Sequence, residues 1–359
     1  MLTCKPDCEA AQKRINAFWN HEDTDRPLVN IVFRKPGARN LPAKQHTTLE
    51  ERWLDIEYNA ERLAHHTVHN TVHYADAMPV IHPNFGPEIL SAWAGCPMVF
   101  EETTSWTLPC LHDWERDAAK AVVSQEHPYF KLMVKYTELL IEYGKGHFIV
   151  GLTDLHPGGD HVAALRDPQV LAMDLLDNPE HVKAKLKSSY SEYFGVYDFF
   201  VKMIKNAGMP VATWTPLPSE TTMYVPSNDF SCMISTTMFE EFFFDGLIEE
   251  CRHYGNSIYH LDGPGALRHL DTLLGIRELD AIQWTMGAGN EQHNRWIDVY
   301  KRILAAGKSV QISPVYPADL PLLMEHLPAK GVWLCMAGIG DEETAAEVMK
   351  TISQWGNRT

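Results

Sequence analysis

From about residue 140 to the C-terminus, short apolar runs alternate with long amphipathic stretches, and this alternation limits the fold more than any other feature of the chain. The runs at 148–152, 211–215, 257–261, 281–284, 310–313 and 332–335, with one more at 28–33, are short and often β-branched. Such runs read as strands buried on both faces. A repeated β-α-β-α order implies parallel strands joined by right-handed crossovers. A barrel and an open doubly wound sheet both fit this pattern. No G-x-G-x-x-G follows any strand, so a dinucleotide fold has no support, and GAGN at 287–290 is too short for a phosphate loop.

The intervening stretches carry helix signals. Thr48 and Glu51 form a capping box that opens a helix running to about His69. Asp167-Pro168 and Asn178-Pro179 each place a cap residue before a proline at the first helical position. The second of these helices runs to about Asn206 and ends at Gly208. Further helices open at Thr236 or Thr237, at Asn290 and at Asp341. The segment 70–130, rich in Pro, His and Trp, is expected to be irregular and to cover one end of the sheet. Residues 1–25 are expected to form an N-terminal helical extension of one domain spanning 1–359.

Composition excludes several classes of function. The formal net charge of −16 argues against nucleic acid or an anionic membrane surface as partner, because phosphate binding needs concentrated positive charge. The seven cysteines are odd in number and scattered, which is not a disulfide framework. The first residues hold no apolar signal-peptide core, and no run is long enough to span a bilayer. A cytoplasmic protein is expected.

The informative polar residues follow the strands, because barrel active sites are built from strand C-termini and the loops after them. SIYHLDGPG ends a strand in His260-x-Asp262, and alternation puts both side chains on one face. An imidazole nitrogen and a carboxylate oxygen both suit zinc. Cys335 ends the last strand and offers a thiolate as a further ligand, against its usual fate as a small buried hydrophobe. Between them, Gln283 can orient a ligand or bind a metal through its carbonyl oxygen. Trp284 is expected chiefly to pack and is kept as a substrate contact. GLTDLHPGGDH places Asp154, His156, Asp160 and His161 after another strand, more ionisable groups than a turn needs. Asp160 also reads as a helix cap. In TPLPSETTMYVPSNDFSCMIS, Tyr224, Ser227 and Asp229 sit in a long polar loop of the kind that carries function. No G-x-S-x-G is present, which removes a serine hydrolase. His65, His66, His69 and His73 recur at helical spacing without H-E-x-x-H, so they read as a solvated face or a packed helix end. Asp76 follows them and is expected near the mouth.

The succession of SNDFSCMIS, TMFEEFFFDGLIEECRHYG and a strand ending in HLDG resembles the uroporphyrinogen decarboxylase superfamily, which includes corrinoid-dependent methyltransferases and has cobalamin-independent methionine synthase as a relative. The resemblance runs from about Arg26-Pro27 to DEETAAEVMKTI and implies a (β/α)8 TIM barrel. It also implies a zinc site in which a His-x-Cys pair corresponds to His260 and Asp262, with Cys335 standing in for the later cysteine and Gln283 near a glutamate of the methionine synthases. Zinc-assisted methyl or alkyl transfer follows, with a corrinoid on a partner protein as a donor and a homodimer as a common assembly. In this reading Asp76, His156, Asp160 and Tyr224 are catalytic, and Arg34, Arg39, Ser227, Asp229 and Trp284 contact substrate. The alternative implied is a metal-free decarboxylase or lyase, in which Arg34 and Arg39 of FRKPGARNLP bind substrate carboxylates and Asp76 stabilises a protonated intermediate. A non-catalytic binding protein for a corrinoid or other ligand is a third reading.

Overall fold

The computed structural model describes residues 2–355. Its strands are β1 (Leu28–Arg34), β2 (Thr71–Ala75), β3 (Val80–Ile81), β4 (Met98–Phe100), β5 (Ser105–Thr107), β6 (Ile149–Val150), β7 (Met223–Tyr224), β8 (Asn256–Asp262), β9 (Ala281–Thr285), β10 (Ser309–Val315) and β11 (Val332–Met336). Seven of them form one sheet in the order β2-β1-β11-β10-β9-β8-β7. All its pairings are parallel except β1 with β2. The fold is therefore mixed α/β with a mostly parallel central sheet.

The sheet is not closed. β3 and β6 pair separately, and the expected strand at 211–215 is reduced to a single bridge between Val211 and Ser219. Pro216 and Pro218 follow closely and remove ladder donors there. Isolated backbone bonds continue the path: Asp76 N to Val29 O (2.9 Å), Ile149 N to Pro79 O (2.8 Å) and Leu152 N to Ala212 O (2.8 Å).

Alternation along β8 separates two layers. Tyr259 and Leu261 pack into a core shared with the surrounding helices, while Ile258, His260 and Asp262 share the other face. Ile258 lies in a second core with Leu28, Ala281 and Trp333. The helix Cys8–Trp19 belongs to this second core through Ile15, Phe18 and Trp19. Its Phe18 ring lies 6.1 Å from Trp333, and its Phe18 carbonyl accepts from Ser309 Oγ (3.1 Å) at the start of β10. Each such large side chain contributes about 1.5–3 kcal/mol by burial. The helix thus seals the N-terminal end of the sheet, and the C-terminal ends carry the polar residues.

The capping box at Thr48 and Glu51 is present, but the helix it opens stops at Leu54. Asp55 caps a second helix, Ile56–His65, and a π turn follows at His66–Asn70. The segment 70–130 is more ordered than expected. It holds β2 to β5, and the helix Pro128–Gly144 follows it, burying Phe130, Met133, Tyr136, Thr137 and Leu140 at three- and four-residue spacing. The later helix expected from Asn290 begins at Ile297. Among the described residues no helix is long and apolar enough to cross a membrane.

Candidate metal centre

Three side chains converge at the C-terminal end of β8. Ligand atoms of Asp229, His260 and Asp262 all lie within 4.8 Å of one another. His260 and Asp262 come from one strand face, as their spacing predicts. The chain turns away at once because Gly263 takes φ +75°, a conformation that strains residues with a Cβ. Asp229 opens the 3-10 turn Asp229–Met233 and reaches the group because Ser227 bridges to His260 in parallel.

The imidazole is fixed from behind. His260 Nδ1 lies 2.5 Å from Gln283 Oε1, Gln283 Nε2 donates to Gln311 Oε1 (2.5 Å), and Gln311 Nε2 donates to Cys335 Sγ (3.1 Å). The polarity of this chain makes Nδ1 the protonated nitrogen and leaves the Nε2 lone pair for a ligand. His260, Gln283 and Gln311 are register partners across β8, β9 and β10, so the ladder itself sets their spacing. The Trp214 ring stands edge-on to His260 at 5.7 Å and limits its rotation.

A second cluster borders the first. His156 Nδ1 meets Ser227 Oγ (2.6 Å), and its Nε2 lies 2.8 Å from Asp154 Oδ1, an ion-pair distance without good hydrogen-bond alignment. Ser227 Oγ donates to Asp160 Oδ2 (3.0 Å), and the Phe230 backbone N–H donates to Asp160 Oδ1 (2.9 Å). Asp160 therefore holds the turn that presents Asp229. The helix bearing Asp160 approaches closely because Gly159 leaves room for Asn228, whose Oδ1 would lie 2.4 Å from an added Cβ.

Burial opposes the charge on His156, but Asp154 and Asp160 outweigh it and hold the imidazolium well above its ordinary range. Burial likewise opposes ionisation of Asp160, and the contact with His156 reverses this, keeping its pKa low. Asp229 is raised to about 6 by desolvation, with the charge of Asp160 adding to it. By surface area Asp229 is exposed. The Asp229 carboxylate is thus crowded by protein yet open to water at the rim. Four carboxylates, Asp154, Asp160, Asp229 and Asp262, thus face one imidazolium and His260, a surplus of negative charge that suits a cation.

A cavity of about 410 Å³ opens beside this centre, lined by His156, Asp160, Asp229, Phe230, Glu88 and Thr107 among others. A larger cavity of about 680 Å³ lies at the end of β3, with Arg62, His82 and Tyr136 in its wall. Among the described residues the larger one contains no convergent ligand set.

Several expected roles are corrected. Cys335 is outside the converging group, because Gln283 and Gln311 stand between it and His260. Burial pushes its thiol up to about 12. Gln283 is likewise outside the group and meets His260 Nδ1 instead. Asp76 does not face the mouth. It is buried, paired with Arg26 through two bonds (2.6 and 2.9 Å), accepts from Val29 N (2.9 Å), and lies 3.4 Å from Arg14 Nε. Its lone pairs are spent on fastening the N-terminal segment. Tyr224 is fully buried; its hydroxyl donates to Thr153 O (2.8 Å) and accepts from Leu155 N (2.5 Å), bracing the loop that carries Asp154 and His156. Trp284 faces the helices and packs 5.0 Å from Trp296. His161 turns inward onto Ser91 (2.8 Å). Arg34 lines a third cavity of about 370 Å³ together with Arg62. The Arg39 carbonyl binds His65 and Asn70 while its side chain is exposed. The rings of His65 and His69 lie 4.9 Å apart and tilted, and no histidine of that stretch joins a ligand group among the described residues.

No protein-family model matches the sequence, and no curated protein matches it. Among solved structures, the fold is similar to that of a methyltransferase from Methanosarcina mazei, with a TM-score of 0.60 and 10% identity, over 97% of this chain and 98% of that one. That likeness runs end to end and establishes a shared fold.

Proposed function

We propose that this protein is a metal-dependent methyl or alkyl transferase working at Asp229, His260 and Asp262. The convergence of those three ligand atoms within 4.8 Å at the strand C-termini carries the reading. The end-to-end fold likeness to a methyltransferase supports the reaction class. One nitrogen and two carboxylate oxygens form an open three-ligand set that suits zinc with a free position for an acceptor. A bound ion would supply Lewis acidity, the chemistry that lowers the pKa of a thiol or oxygen acceptor. Gln283 would hold the His260 imidazole in place through Nδ1, leaving Nε2 for the ion. Asp160 and Ser227 fix the turn bearing Asp229, and the His156 imidazolium moderates the negative charge of the cavity. We further read the open sheet, continued by single backbone bonds through β3, β6 and 211–212, as a (β/α)8 barrel of the uroporphyrinogen decarboxylase superfamily. A methyl-corrinoid on a partner protein is the proposed donor, and an intracellular, homodimeric protein is the proposed setting. The decarboxylase reading has less support, because Asp76 is engaged with Arg14 and Arg26 and Arg39 is turned outward.

The test is transfer of the methyl group of methylcobalamin to a small thiol by zinc-loaded protein, beside an Asp262→Ala variant. Turnover lost in the variant is expected. No turnover by the loaded protein, or equal turnover by the variant, rules out this assignment.

A further inference from the structure

Away from the proposed metal ligands, two cysteines fourteen residues apart meet. Cys96 Sγ lies 3.1 Å from Cys110 Sγ, and both are free thiols. They flank the hairpin formed by β4 and β5, whose ladder is extended toward them by Leu108 N to Pro97 O (2.8 Å). Cys96 is buried and Cys110 only half-buried, so a reagent reaches Cys110 first. Both dock on the end of the helix Gly158–Arg166: Cys110 N donates to Leu165 O (3.0 Å), and Cys96 Sγ lies 3.8 Å from Ala164 O. That helix carries Asp160 in its first turn. Thr107 and Glu88, hydrogen-bonded to each other, line the 410 Å³ cavity with Pro109.

We propose that Cys96 and Cys110 form a reversible thiol–disulfide pair, a modification site for low-molecular-weight disulfides that staples the hairpin forming one wall of the cavity. The roles of the two sulfurs follow from their surroundings. The thiol of Cys96 donates to Cys110 and the Lys185 ammonium lies nearby, so the Cys110 thiol is lowered toward the reactive thiolate. The same contact raises Cys96, which remains a thiol until it resolves the intermediate. The Cys110 thiolate attacks one sulfur of the small disulfide and expels one thiolate, giving a mixed disulfide. Cys96 then loses its proton, attacks the Cys110 sulfur and expels the second small thiol. Two protein thiols and one small disulfide become one protein disulfide and two small thiols, so electrons and hydrogens balance. The proposal does not depend on the metal reading.

The experiment incubates the full-length protein with glutathione disulfide, alkylates residual thiols under denaturing conditions and maps the peptides. A Cys96–Cys110 cross-link is expected in the wild type, reversed by dithiothreitol, and Cys96→Ser should instead accumulate glutathione on Cys110. Cys232, which is exposed, serves as the control for reaction. The proposal is overturned if Cys232 acquires glutathione while Cys96 and Cys110 remain fully alkylatable. It is equally overturned if the wild type stops at a mixed disulfide on Cys110.

Discussion

Replacing Gln283 by Met keeps the length of the side chain and removes the acceptor for His260 Nδ1. The imidazole then loses the contact that fixes its tautomer and its ring orientation beside Asp229 and Asp262. Outer-shell partners of a metal-bound histidine are worth about 10–100-fold in metal affinity, which is about 1.4–2.7 kcal/mol. A separate cost falls on stability, because Gln311 Oε1 loses its donor in a buried setting, about 1–3 kcal/mol. The two effects are read independently, zinc affinity by competition with a chromophoric chelator at pH 8 and stability by urea denaturation of the metal-free protein. The expected outcome is weaker zinc binding at unchanged stoichiometry. Unchanged affinity in a variant that has lost the expected stability would refute the idea that Gln283 orients a metal-bound imidazole.

Other changes separate structural from chemical roles. Asp76→Asn breaks a buried ion pair and should cost about 3–5 kcal/mol in denaturation while zinc stoichiometry of the folded protein stays the same; loss of methyl transfer without loss of stability would return Asp76 to the active site. Tyr224→Phe leaves Leu155 N without its acceptor and should destabilise by about 1–3 kcal/mol, with zinc affinity nearly intact in the same titration. Glu250 is fully buried, and burial raises its carboxyl from 4.5 to about 8. The folded state then binds the proton more tightly than the unfolded chain, so stability is greatest below pH 4.5 as far as this group is concerned. It falls by at most about 1.4 kcal/mol per pH unit up to about pH 8. Glu250→Gln should flatten that part of the stability–pH curve, and an identical slope in the variant would show that Glu250 does not set it.

The polar ends of the strands were legible because strand alternation is a local rule. His260-x-Asp262 on one face needed only the sequence, and the structure places both at the same mouth. Asp229 was visible as a polar loop residue but not as a partner of His260, because the bridge from Ser227 to His260 joins segments more than thirty residues apart. Gln311, a polar residue inside the apolar run VQIS, was the one local sign that something passes between Gln283 and Cys335. Cys335 itself lies on the expected face, yet side-chain direction says nothing about reach, and two glutamines fill the distance. Asp76 was misread because the guanidinium groups that bind it come from a helix and a loop fifty or more residues earlier. In the fold, the helices Pro168–Asp177 and Pro179–Asn206 were legible from a cap residue before a proline, whereas Pro128–Gly144 was not expected. The two-residue strands β3 and β6 were not, since so short a ladder leaves almost no periodicity to read.

Asp229, and not Cys335, completes the proposed ligand set with His260 and Asp262. Elemental analysis of the protein purified without a histidine tag, with Asp229→Ala and Cys335→Ala alongside, tests it directly. About one zinc per chain is expected in the wild type and in Cys335→Ala, with its loss in Asp229→Ala. Zinc retained by Asp229→Ala and lost from Cys335→Ala would contradict it.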